Sequence, residues 1–507
     1  MLRWTEAHME DLAFPHLGDS SQPLSRACPW RCSCPRDDTV DCAGLGLRVF
    51  PDNITRAARH LSLQNNQLQE LPYNELSRLS GLCTLDLHSN LISSEGLPDE
   101  AFESLTQLEH FYVAHNKVSM YVALRRCIPA GSLSVRDLGV GAGEAGNPHR
   151  DQMLLLLQLS VAPQFLPRTL RVADLAANEV VEIFPLTFGE KPALRKLSSL
   201  EYLDLSHNQL ATVPEGLPRT LTILHLGRNC IRQVEAGRLH RARGLRYLLL
   251  PHNELGASAL PAGTLRPLRA LHTLHLYGNR LERVPPALPR HLKALVMPHN
   301  RVAVLGARDL VSARTLVELN LAYNRLASAH VHPGAFRRLR VLRSLDLAGN
   351  QLSRLPEGLP ASLRSLRLQR NQLRGLEPEL LAGLNRLQEL SLAHNRLRVG
   401  DIGPGTWHEL QALQVLDLSH NELSFVPPDL PEALEELYLQ ANRISHVGPE
   451  AFLSTPRLRA LFLRANRLHM TSIPAETFLG LAHLRVVDTA ENPEQVLVQL
   501  PPKDRGP

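Results

Sequence analysis

The chain is 507 residues long, only 5% aromatic, and carries a formal charge of +5 at neutral pH. That length exceeds one ordinary domain, and so few rings suit thin aliphatic layers better than a single large core. The small charge excess, with arginines scattered among acids, excludes a dedicated nucleic-acid binder, and no run of 18 apolar residues is present to span a membrane.

Residues 1–27 place Glu6, Glu10 and Asp11 where a secretion signal needs an unbroken apolar core, so no signal is recognisable and the segment is expected to be disordered. Cys28, Cys32, Cys34 and Cys42 follow, spaced C-x3-C-x-C-x7-C, and residues 28–55 form a cysteine-rich cap. Such a cluster is a disulfide knot or a zinc site. The C-x-C core and the lack of a local histidine favour disulfides, hence an oxidising compartment. Cys83, Cys127 and Cys230 stand alone in the sequence, and Asn53-Ile54-Thr55 is its only N-x-[ST] sequon, a glycosylation acceptor if the chain is secreted.

From Asn66 to Asn492 the template LxxLxLxxNxL recurs seventeen times. From Asn208 onward the asparagines are spaced by 21, 24 and 26 residues, four times without error. LDLSHNQL at 203–210 therefore returns as LDLSHNEL at 416–423 after three cycles of 71. In LxL both leucines point one way from a short strand and the residue between them points the other. The asparagine falls where the chain leaves the strand. Its amide can donate and accept, so it can satisfy turn groups that would otherwise be buried without partners. Four buried leucines return less than the ordering of some two dozen residues costs, so each coil depends on its neighbours. The 21-residue connectors carry paired prolines, Pro214 and Pro218 through Pro427 and Pro431, and are predicted to be extended. The longer connectors, such as GAFRRLRVL (334–342) and ETFLGLAHL (476–484), suit a helical turn. The predicted fold is an α/β leucine-rich-repeat solenoid. It is a curved horseshoe with a parallel β-sheet on its concave face and short helical or extended connectors on its convex face.

The cysteine cluster, followed by LRVFPDNI (47–54) and by mixed repeats of these three lengths, resembles the small leucine-rich proteoglycan family, within it the podocan branch. The resemblance covers about residues 28–500. It implies a secreted extracellular-matrix protein that binds fibrillar collagen through its concave face and restrains cell proliferation or signalling. It also implies the pairings Cys28–Cys34 and Cys32–Cys42, which close the open apolar end of the solenoid. Many members end with a second cysteine pair. This chain has no cysteine after Cys230, so its far end is closed otherwise or frays.

Two seams interrupt the count. Asn116 to Asn178 spans 62 residues where the cycle demands 21, and removing 118–158 restores it, so that segment reads as an inserted loop, expected to be disordered. Asn178 to Asn208 is 30 residues where 50 are due, and KPALR runs straight into KLSSLEYL. A deletion of 20 residues, or of 20 plus a whole cycle (91), is placed near Arg195/Lys196. Repeats are assigned to 56–117 and 159–497, with a tail at 498–507. Gly141, Gly143 and Gly146 spell a dinucleotide fingerprint without its strand, helix or acidic partner, and no cofactor is expected.

A ligand would be read by the residue at the centre of LxL. Every 71 residues this position holds Asp204, His275, Asp346, Asp417 and Asp488, and between them Leu249, Asn320, Arg367, Tyr438 and Phe462, with Tyr112 upstream. Asp204, His275, Asp346, Asp417, Tyr438, Phe462 and Asp488 form the expected ligand-binding set, since aspartates beside aromatics can hold the lysines, arginines and prolines of a collagen helix. The plain alternative is inherited repeat sequence on a solvated face. Just before the template asparagine stand His115, His207, His252, His299, His394 and His420. The last two lie in adjacent repeats, but zinc needs a further fixed ligand that the sequence does not name, and no metal is expected. Arginine clusters at 238–247, 336–343 and 363–374 are of the kind that sulfated glycans reward. The alternative function is a soluble receptor-like module capturing a growth factor or a sulfated glycan. An enzyme is not expected, because a solenoid offers an open face where catalysis wants a water-excluding cleft.

Overall fold

The computed structural model describes residues 28–93, 96–97, 100–117, 166–181, 183 and 197–500. The expectations for residues 1–27, 118–158, Gly141–Gly146, the Arg195/Lys196 junction and 501–507 fall outside these residues. The chain divides into two compact units, and the division falls between Leu203 and Asp204.

Each template makes a strand only three residues long, with its central residue buried and its flanks partly open. In Ser344–Asp346 the central Leu345 is fully buried, and so are Leu347 on the other side of LxL and the outer leucines Leu342 and Leu352. In the first unit, the antiparallel strands Ser33–Arg36 and Thr39–Asp41 open the sheet. From Thr39–Asp41 the pairing turns parallel and continues through His60–Ser62, Thr84–Asp86, His110–Tyr112 and Val172–Asp174. Cys28–Cys34 and Cys32–Cys42 are bridged, the pairing that the resemblance implies. The cap joins the ladder directly: Cys42 N–H donates to Ser62 O at 2.8 Å, and Val40 and Cys42 are buried against the first coil.

In the second unit, twelve strands from Ile223–His225 to Val486–Asp488 pair in parallel, each with the next and leucine opposite leucine. The last of these departs from the rule with Val487 opposite Leu461. It is also the most open, with Val486 46% exposed.

The template asparagines close the turns. Asn350 Nδ2 donates to Leu347 O at 2.9 Å and Ala348 O at 3.2 Å in its own coil, and to Leu321 O at 3.0 Å in the preceding one. Its Oδ1 accepts Leu326 N–H at 3.0 Å. The same set recurs at Asn66, Asn90 and Asn116 and from Asn229 to Asn492, and every one of these amides is buried except the last. One residue earlier the backbone enters the left-handed region, as at His207 (φ 55°), His252 (51°) and Tyr323 (52°). At Gly349 (φ 65°) it is the close approach that calls for glycine, because a Cβ there would lie 2.3 Å from Cδ1 of Tyr323.

The 21-residue connectors are free of helix, as the prolines dictate. The longer ones hold less helix than expected. Pro378–Leu381 is one α-turn and Ala475–Phe478 one 3-10 turn, while GAFRRLRVL makes only i+3 turns, such as Leu339 N–H to Phe336 O. Phe336, Leu339 and Leu342 are all buried, so a step of three residues already returns each anchor to the interior.

Candidate functional site

The residues at the centre of LxL line up across the sheet in register. In the second unit the row runs His225, Leu249, His275, Val296, Asn320, Asp346, Arg367, Ser391, Asp417, Tyr438, Phe462 and Asp488. The aspartates of this row share one geometry. Oδ1 accepts the N–H two residues on: Ala348 for Asp346, Ser419 for Asp417, Ala490 for Asp488 and Ser206 for Asp204, all at 2.8–3.0 Å. Asn320 does the same for Ala322 N–H. One oxygen therefore holds the turn, and only the other is available to a partner.

The expected ligand-binding residues do not form one stripe. Asp204 is engaged by His225, whose Nδ1 lies 3.1 Å from Oδ2. Burial alone would raise the Asp204 carboxyl, but the hydrogen bond and charge of His225 and the Ser206 donors bring it below the usual carboxylate range. His275 sits between Leu249 and Val296, where burial, helped by His225 and His252, takes its pKa down to about 4. It is therefore a neutral ring on an apolar stretch. Beyond it the polar set is contiguous. Arg367 reaches to 4.0 Å from Asp346, whose carboxyl is raised by burial against the opposing pull of Ala348 N–H and Arg367. Ser391 touches Asp417 at 3.5 Å, and Tyr438 and Phe462 stack with centroids 4.5 Å apart and planes 3° from parallel.

The first unit holds a cluster that counting by 71 from Asp204 skips. Asp86, Tyr112 and Asp174 occupy the LxL centre of three successive strands, and His88 bridges the two acids. Its Nδ1 is 2.8 Å from Asp86 and its Nε2 is 3.0 Å from Asp174, while its ring stacks on Tyr112 at 5.5 Å. The signal was the LDL of 85–87 and the ADL of 173–175, on the far side of the seams. Burial by itself lowers the imidazole, but hydrogen bonds to Asp174 and Asp86 and their charges outweigh it and carry the pKa to about 9. Burial, with the two carboxylates, pushes Tyr112 up to about 12. A histidine raised from 6.5 to about 9 stabilises the fold fully below pH 6.5, and that contribution disappears as pH rises through 9. The wild-type first unit is expected to lose about 2–3 kcal/mol over that window, and His88→Gln to lose none of it. Urea unfolding at a series of pH values checks this.

At the rim, His394 and His420 stack face to face at 3.9 Å. His252, Tyr277, His299 and Tyr323 form a ladder of ring contacts at 4.6–5.2 Å. Among the described residues no group of three or more histidine, cysteine, aspartate or glutamate side chains is placed to hold a metal ion, and no helix is long and apolar enough to cross a membrane.

Residues 56–118, 198–255, 290–352, 361–423 and 432–493 match the family model described as leucine rich repeat. The chain is 70% identical to podocan-like protein 1 of Mus musculus, with 98% of each chain covered. It belongs to the podocan branch of the leucine-rich-repeat family. It is 42% identical to podocan of Mus musculus, over 93% of this chain and 85% of that protein. A solved leucine-rich-repeat protein of Leptospira interrogans superposes with a TM-score of 0.62 over 86% of this chain and 91% of its own, at 22% identity, which speaks to the fold alone. Podocan-like protein 1 and podocan indicate a leucine-rich-repeat protein of the extracellular matrix, and this chain is a matrix protein of that kind. The match to the mouse podocan-like protein runs over 589 positions against 507 residues here. At least 82 of them are thus places where that podocan has a residue and this one has none.

Proposed function

We propose that the chain is a secreted matrix component that docks fibrillar collagen on the strand face of its second unit, between Asp346 and Asp488, and so restrains cell proliferation or signalling. The observation that supports this reading is the contiguous row Asp346, Arg367, Ser391, Asp417, Tyr438, Phe462 and Asp488. Each aspartate there keeps one oxygen outside its turn, for lysine or arginine, beside a pair of stacked rings suited to proline. Asp204 and His275 stand outside this row: the first is already bonded to His225 and the second is neutral. Asn53, exposed at φ 63° near the end of the cap, carries a glycan on the same reading.

The test must spare the turns. Asp346→Asn with Asp417→Asn keeps the Oδ1 acceptor, as Asn320 does naturally, and removes only charge. Binding to immobilised collagen I is expected to weaken about fivefold or more, with the unfolding midpoint unchanged. Undiminished collagen binding by this double variant rejects the reading.

A further inference from the structure

The parallel register carries a second row, on the edge where the chain enters each strand. Four residues before the strands that begin at Ile223, Tyr247, Thr273, Ala294, Glu318 and Ser344 stand Arg219, Arg243, Arg269, Arg290, Arg314 and Arg340. An arginine thus occupies the same place in six successive coils, although the coils differ in length. All six are exposed, and none forms an ion pair among the described residues. Some arginines elsewhere in this unit do, as Arg232 with Glu254, Arg398 with Glu422 and Arg459 with Glu435.

Directly beside it runs a second basic row, one residue before the strands. Arg246, His272 and Lys293 are consecutive in it, linked backbone to backbone by His272 N–H to Arg246 O at 2.9 Å and Lys293 N–H to His272 O at 2.7 Å. His272 is held below its ordinary value by burial and then by Lys293, Arg246 and His291, in keeping with positive charge gathered along this edge. The row also contains a seat: Arg243, Gly263, Arg266, Pro267 and Arg269 line a cleft of about 340 Å³ with three guanidinium groups and no carboxylate.

We propose that this edge binds a linear sulfated polysaccharide, with one sulfate ester in the Arg243–Arg266–Arg269 cleft and further sulfates on the arginines of neighbouring coils. Guanidinium forks match the oxygens of a tetrahedral anion. Successive coils about 5 Å apart make an array some 25 Å long, which suits a chain with repeated charges better than a single small anion. The net charge of +5 is too small to make the whole surface attractive, so the attraction is local to this edge. The site is separate from the face proposed for collagen and does not depend on that reading.

Heparin is the probe, at roughly 0.15 M salt, where longer-range attraction is screened. Three variants of equal charge change are compared: Arg243→Gln/Arg266→Gln/Arg269→Gln in the cleft, Arg219→Gln/Arg290→Gln/Arg314→Gln along the ladder, and Arg301→Gln/Arg325→Gln/Arg396→Gln. The last set is exposed, forms no ion pair within 4.0 Å among the described residues and lies past the opposite end of the strands. The first two are expected to weaken heparin binding about tenfold or more and the third less than about twofold, with unfolding midpoints kept. Desulfated heparin is expected not to bind, and Asp346→Asn/Asp417→Asn to bind heparin like the wild type. Equal losses in all three arginine variants, no loss in the first two, or equal binding of the desulfated chain would each overturn the proposal.

Discussion

Asn350→Asp is expected to cost about 4 kcal/mol or more of unfolding stability at neutral pH, although it changes one atom type and adds no volume. The native amide donates to Leu321 O, Leu347 O and Ala348 O, all within 3.2 Å, and accepts Leu326 N–H. Aspartate keeps the acceptor. Its second oxygen then faces three carbonyl oxygens at hydrogen-bond distance with no proton to offer, in a place 5% exposed. Each of these carbonyls keeps another donor, Asn324 Nδ2 at Leu321 O, Asn371 Nδ2 at Leu347 O and Tyr323 N–H at Ala348 O, so the cost comes from the lost amide bonds, about 1 kcal/mol each, and from a buried carboxylate oxygen that faces oxygens where it needs donors. Protonation restores one donor. The carboxyl of the variant is therefore raised, and the deficit is present above its pKa and shrinks as pH falls toward it. Urea unfolding of the variant at neutral and acid pH reads both effects. A deficit that did not shrink with acid would mean that the amide acts by shape alone.

That role was legible in the sequence because it follows from what an amide is. An asparagine fixed to the end of every LxL strand has to answer both donors and acceptors, and it does so at Asn66 as at Asn492. The solenoid was legible for a similar reason, since period two inside the template and a 71-residue cycle between templates leave one way to bury every leucine. The site was less legible, because spacing along the chain does not report what stands in the next coil. Asp204 and Asp346 occupy equivalent places in sequence. One meets His225 at 3.1 Å and falls below the carboxylate range, while the other meets burial, with Arg367 only at 4.0 Å, and rises above it. His275 is a charge candidate by its letter and a neutral ring by its neighbours, Leu249 and Val296. Asp86 and Asp174 were passed over because the 71-residue count cannot cross the seams.

The seams themselves bear on how stability is shared. If each coil is held by its neighbours, a deletion in the middle of a stack should cost more than a comparable one at its edge. Leu345→Ala, opposite Leu319 on one side and Leu366 on the other and fully buried, is expected to cost about 3–5 kcal/mol. Val487→Ala, on the outermost strand and paired with Leu461 on one side only, is only half-buried to begin with and is expected to cost under about 1 kcal/mol. The two substitutions differ by only one carbon in what they remove, so the gap between them measures stacking rather than side-chain chemistry. Hydrogen exchange separates the outcomes further. After Leu345→Ala, faster exchange should spread to the strands Glu318–Asn320 and Ser365–Arg367, whereas after Val487→Ala it should stay within Val486–Asp488 and its single neighbour. Equal costs for the two would mean that each coil is stable by itself, and the docking faces proposed here, which exist only while neighbouring coils hold their register, would lose their basis.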